Sequence, residues 1–136
     1  MSDKPVAAKL LVKPGDSVWL SDVDRGSLLG PLPDGAGIVG GRPVDGSHDR
    51  VAVVIGDDAA SVRSVFDAQA GSLLSVPVVW ILYPKGNRTD VNRDSLWRMI
   101  APYGLRPITQ VAVDDTWSAL RFRAIRPDEP PFTGGK

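Results

Sequence analysis

The sequence predicts an α/β domain whose mostly parallel sheet closes with a C-terminal antiparallel hairpin. Three observations carry that prediction. RVAVVIGD (50–57) and VPVVWILY (76–83) are short continuous apolar runs, the pattern of strands covered on both faces. Each is followed by residues at helical spacing, which gives strand–helix–strand–helix units and a parallel sheet. ITQVAV (108–113) and WSALRFRAI (117–125) alternate instead, with the turn-forming DDT between them, as a hairpin does.

The elements follow in order. SVWLSDV (17–23) reads as a strand entered from the Pro14-Gly15 turn. Residues 24–49 read as one long loop, because Gly26, Gly30, Gly35, Gly37, Gly40, Gly41 and Gly46 alternate with Pro31, Pro33 and Pro43. A loop of that length in a compact domain is functional or mobile. After the strand at 50–55, Asp57 or Asp58 caps a helix with Val62, Val65, Phe66 and Leu73 on its apolar side. After 76–83, NRDSLWRMIAPYG starts at Asn92 as N-cap and carries a Val91–Leu96 staple. It pairs Asp94 with Arg98 four residues on and stops at Gly104. In the hairpin, Leu120 and Phe122 share one face, and Trp117, Arg121 and Arg123 the other. Trp19, Trp80 and Trp97 are expected in the core. Residues 1–126 thus form one domain, and RPDEPPFTGGK supplies a disordered tail over 127–136.

Composition narrows the function. The chain of 136 residues carries 16 Lys+Arg and 16 Asp+Glu, so its formal charge is zero. That balance argues against broad binding to nucleic acid or an anionic membrane. With no cysteine and a single His48 there is no disulfide, thiolate or poly-histidine metal site, and no cofactor or metal is expected. The start, MSDKPVAAKLLVKPGD, lacks the apolar core of a signal peptide, and no stretch is long and apolar enough for a membrane span. A cytoplasmic protein is expected. GAGIVG (35–40) spells the dinucleotide-binding motif, but no strand is expected before it and Pro43 discourages a helix after it, so it reads as flexible loop.

VKPGDSVWLSDV and LLSVPVVWILYPKG, with the closing hairpin, resemble the first, fifth, sixth and seventh strands of the class I methyltransferases. The resemblance implies a truncated, methyltransferase-like Rossmann core. In that family the first strand runs into a glycine-rich turn that holds S-adenosylmethionine. Here it runs into Asp24, Arg25, Gly26 and Ser27, and residues 24–49 offer no expected counterpart of the second and third strands or of the acidic residue for the ribose hydroxyls. Methyl transfer is therefore not expected. YPKGNRTDVNRDSLW and GLRPITQVAVDDTWSALRFR further resemble a bacterial family catalogued as a domain of unknown function, over about residues 10–126. That resemblance implies the same core and no particular activity.

In an open parallel sheet, ligands sit at the carboxyl ends of the strands. Three segments should meet there: Gly56 to Asp58, Lys85 to Asp90, and Asp114 to Trp117. The candidate ligand or partner residues are Lys85, Arg88, Thr89, Asp90, Asp114, Asp115, Thr116 and Trp117. Lys85, Arg88 and Arg93 could hold an anion, Asp114 or Asp115 could accept from a hydroxyl or amine, and Trp117 could stack. The structural alternative is that these are turn and cap residues. No catalytic residue is assigned, since no nucleophile elbow or metal spacing is present. The expected function is a non-catalytic module that binds a small anionic molecule or a protein at this rim. The alternative is an enzyme acting on a small anionic metabolite there.

Overall fold

The computed structural model describes residues 5–86, 89–126 and 128, the side chain of Ala70 excepted. Arg88 and nearly all of the expected tail at 127–136 lie outside the described residues. The described elements are α1 (Val6–Lys9), β1 (Ser17–Leu20), a 3-10 helix (Val23–Leu29), β2 (Gly37–Val39) and β3 (Val51–Ile55). They continue with α2 (Ala59–Leu73), β4 (Val78–Pro84), α3 (Arg93–Ile100), a second 3-10 helix (Ala101–Tyr103), β5 (Leu105–Ala112) and β6 (Trp117–Ala124).

The six strands form one sheet in the order β2-β1-β3-β4-β6-β5. The β2–β1, β1–β3 and β3–β4 pairs are parallel, whereas β6 runs antiparallel to both β4 and β5. Every residue of β3 is buried, because the sheet is covered on both sides. On one side α2 and α3 pack Val62, Phe66, Leu96 and Ile100 against Trp19, Val54, Ile81, Leu120 and Phe122. On the other, Ala7, Leu10 and Leu29 cover Val18, Val53, Trp80 and Ala119. Four residues of α1 are too few to hold a helix alone. Its docking is reinforced by the Trp80 indole, which donates to the Leu10 carbonyl at 2.9 Å.

Capping fixes where the helices start. The Ser61 amide donates to Asp58 at 2.8 Å, and Asn92 and Ser95 form a reciprocal capping box, both bonds 2.9 Å. Val91 and Leu96 are both fully buried, as the staple requires. Gly104, at φ 93°, takes the left-handed turn that ends the helical segment.

Residues 24–49 depart from expectation. They are not one loop: a 3-10 helix occupies their start, and Gly37-Ile38-Val39 inside GAGIVG is β2, paired in parallel with Ser17-Val18-Trp19. The expectation that the second strand has no counterpart is thereby overturned. Three residues make too short a run to read as a strand; pairing with β1 is what holds them. β1 is also shorter than expected, since the Asp22 carboxylate caps the 3-10 helix by accepting from the Asp24 amide at 3.1 Å. Trp97 is only half-buried, with the Arg93 guanidinium 5.8 Å from its ring centroid.

Below β2 the chain is held by a buried carboxylate. Asp49, 0% exposed, accepts from Arg42 at 2.8 and 2.9 Å, from the Ser17 hydroxyl at 2.8 Å and from the Asp45 amide at 2.9 Å. Burial pushes its carboxyl up, but the Arg42 guanidinium, the Asp45 amide and the Ser17 hydroxyl outweigh it and hold the group at about 2.

Candidate functional site

Because β1, β3, β4 and β5 point the same way, their exits share one edge, and β6 begins there. Pro84 pairs with Trp117, and the Lys85 amide donates to the Thr116 carbonyl at 2.7 Å. The structure therefore brings Lys85, Asp114, Asp115, Thr116 and Trp117 together around the β4 exit and the β5–β6 turn. Thr89 and Asp90 sit further along the loop after β4. Asp90 faces α2, where it accepts from the Ala59 amide at 2.8 Å and from the Thr89 hydroxyl at 3.2 Å.

Most of the rim carboxylates hold the local backbone. Asp114 accepts from the amides of Thr116 at 2.8 Å and Trp117 at 2.7 Å, which closes the hairpin turn. Asp22 and Asp58 cap helical segments, and the Ser61 amide and hydroxyl keep the Asp58 carboxyl below its ordinary value. Asp24 and Asp115 stand exposed in solvent. Among the described residues the rim carries Asp22, Asp24, Asp57, Asp58, Asp90, Asp114 and Asp115 together with Arg25, Lys85 and Arg93. Of the expected anion-holding residues, Lys85 lies at the β4 exit, Arg93 opens α3, and Arg88 lies outside the described residues.

Arg25 was not among the candidate residues, yet it lies at the centre of the rim. Its guanidinium donates to both oxygens of Asp57, at 2.9 and 3.0 Å, and lies 5.6 Å from the centroid of the Trp117 ring. Asp22 is a more distant partner at 3.9 Å. One side chain thus spans the exits of β1 and β3 and the start of β6. The only sequence signal was an arginine directly after the first strand.

The exits of β1 and β2 are also in direct contact. A Cβ placed on Gly40 would stand 2.2 Å from Val23 Cγ1 and 2.9 Å from the Leu20 carbonyl oxygen. This is the crevice where the methyltransferase resemblance would put S-adenosylmethionine. β2 leads into Gly40, Gly41 and Arg42 rather than into an acidic residue, and the turn after β1 is occupied by Val23 and Arg25. The residues present do not fit that cofactor.

Two open clefts flank the helices. One, of about 420 Å³, lies between the start of α2 and α3 and is lined by Ala59, Arg63, Asp90, Ser95, Arg98 and Met99. Another, also about 420 Å³, lies between β1, the loop after β2 and α2, and includes Trp19, Ser21, Arg42 and Gln69. Among the described residues no group of three His, Cys, Asp or Glu is placed to hold a metal ion, and no helix is long and apolar enough to cross a membrane.

Solved structures share this architecture. A Streptococcus pneumoniae protein put forward as a tRNA (m1A22) methyltransferase superposes with TM-score 0.55 at 10% identity, covering 87% of this chain and 67% of that one. A protein of the NADB-Rossmann superfamily from Streptococcus agalactiae superposes with TM-score 0.58 at 10% identity, covering 96% of this chain and 72% of that one. No family model and no curated protein matches the chain. The likeness is one of fold: a six-stranded, Rossmann-like α/β sheet of the methyltransferase type, mostly parallel and closed by an antiparallel C-terminal pair.

Proposed function

We propose that this chain is a non-catalytic binding or regulatory module on a shortened methyltransferase-like Rossmann core, with the rim at the strand exits as its working surface. The observation that carries this reading is the set of contacts that Arg25 makes across the strand exits. Arg25 bridges Asp57 and Trp117 where a cofactor-binding enzyme of this fold would be open.

The charge at the rim favours a protein partner over a small anionic molecule. An anion arriving near Lys85 would also meet Asp114 and Asp115, and the like charges would oppose it. The same repulsion opposes carrying over a tRNA from the pneumococcal relative, since a phosphate backbone would be turned away from this edge. In the enzyme alternative Asp114 or Asp115 would act as base; Asp114 is engaged with the amides of Thr116 and Trp117, which leaves Asp115, exposed in solvent, to that role. The partner surface that complements the rim is a basic one, with Trp117 and Lys85 setting its position.

A thermal-shift screen tests this. The panel holds nucleotides, sugar phosphates, small organic acids and a lysine-rich octapeptide, run on the natural chain and on Asp115→Arg. The octapeptide should raise the melting temperature, the anions should not, and Asp115→Arg should remove the shift. A shift with a phosphate or organic acid that is lost in Lys85→Ala would overturn the reading and restore the small-molecule site.

A further inference from the structure

A further cleft, of about 310 Å³, runs between α3 and β5. Arg93 and Trp97 of α3 line one wall, and Pro107, Ile108, Gln110 and Leu120 of the hairpin line the other. No Asp or Glu takes part in the lining. β5 is the last strand of the sheet, paired with β6 on one side, so its other edge presents backbone groups to solvent. Ile108, Thr109 and Gln110 are exposed in succession along it, and Ile108 keeps 41% of its surface accessible. One cation stands at the rim end of the cleft. Arg93 opens α3 with its side chain 57% exposed, its guanidinium 5.8 Å from the centre of the Trp97 ring. Asp94 is 3.7 Å from its Nε, too far for a hydrogen bond, so the guanidinium keeps donors for a further acceptor.

We propose that this cleft takes the C-terminal end of a partner protein, a short extended segment whose last residue is apolar. The segment adds to the free edge of β5, its last side chain enters the cleft beside Trp97 and Leu120, and its terminal carboxylate pairs with Arg93. Strand addition supplies backbone hydrogen bonds, the apolar wall selects the side chain, and the guanidinium fork selects the carboxylate. An apolar lining with one cation and no anion matches an occupant with an apolar body and a single negative charge. A second copy of β5 fits the edge less well. Pro107 has no amide hydrogen, and the ladder shifts register between Pro107 and Thr109, which interrupts pairing along the whole strand. A short segment needs only Thr109 to Ala112, where the register is regular.

The test uses the whole chain and the peptide Ser-Thr-Val-Thr-Leu, labelled at its amine and read by anisotropy, with its C-terminus free or amidated. Saturable binding of the free form is expected. Amidation should weaken it about tenfold, the loss of one charge-assisted pair. Arg93→Gln should weaken the free form by as much and leave the amidated form unchanged, and Ile108→Glu should weaken both. Arg98→Gln, on the same helix but outside the cleft, and the rim variant Asp115→Arg should bind as the natural chain does. Absence of binding, equal affinity for the two peptides, or an equal loss in Arg98→Gln would each overturn the proposal. So would decanoate displacing the peptide at a lower concentration than unlabelled peptide does, because the cleft would then be a fatty-acid site. Self-association of the chain that Ile108→Glu abolishes would overturn it too, since a second copy would then hold the edge.

Discussion

Trp80→Ala should remove about half of the stability of this domain. Trp80 is 1% exposed, sits in the middle of β4 and lies between the sheet and the α1 segment. Truncation of a buried tryptophan costs about 4 kcal/mol. Here it also strips the Leu10 carbonyl of its donor, which adds about 1 kcal/mol. A domain of this size is stable by about 10 kcal/mol, so the melting temperature should fall by roughly 15 °C. Trp80→Phe separates the two contributions: it keeps most of the apolar volume and should cost only about 2 kcal/mol. Urea denaturation of the three proteins measures the ratio. Equal losses from the two variants would mean that the indole N–H, and not its volume, holds α1 in place.

Asp49→Ala should come next, at about 3 kcal/mol, because it leaves the Arg42 guanidinium, the Ser17 hydroxyl and the Asp45 amide without their common acceptor. The pH dependence has a definite sign. The carboxyl titrates at about 2 in the fold and near 3.8 when unfolded. Its contribution is therefore in place at neutral pH and is lost as the pH falls through 3.8 towards 2. The difference amounts to about 2 kcal/mol. Melting curves from pH 7 to pH 2 should show the natural chain losing this increment and Asp49→Asn lacking it. Parallel curves for the two proteins throughout would mean that Asp49 is not held ionised by its neighbours.

What the sequence showed follows from the range of the interactions that build each element. β3 and β4 are continuous apolar runs, and α3 carries its own signals in Asn92, Val91, Leu96 and Gly104, so each was legible from neighbouring residues. The same holds for the β5–β6 turn, where Asp114 bonds two and three residues ahead. β2 was not legible, because Gly37-Ile38-Val39 has no run or alternation of its own and exists by pairing with β1. The convergence of Lys85 with Thr116 and Trp117 could be read from strand direction alone. The arrival of Asp22, Asp24 and Asp57 at the same edge from two other strands could not, since it depends on the strand order. Arg25 has partners in Asp57 and Trp117, both distant in sequence, and no local pattern marks such a contact.

Isothermal titration of the full chain with S-adenosylmethionine tests the central claim most directly, because binding of that cofactor at the exits of β1, β2 and β3 separates a working methyltransferase from a binding module. With Val23 against Gly40 and Arg25 on Asp57, no saturable heat is expected at ligand concentrations up to about 1 mM, where even a millimolar site would be half filled. Saturable heat with a micromolar dissociation constant, abolished by a substitution at Arg25 or Asp57, would show that the crevice opens for the cofactor and would contradict the non-catalytic reading.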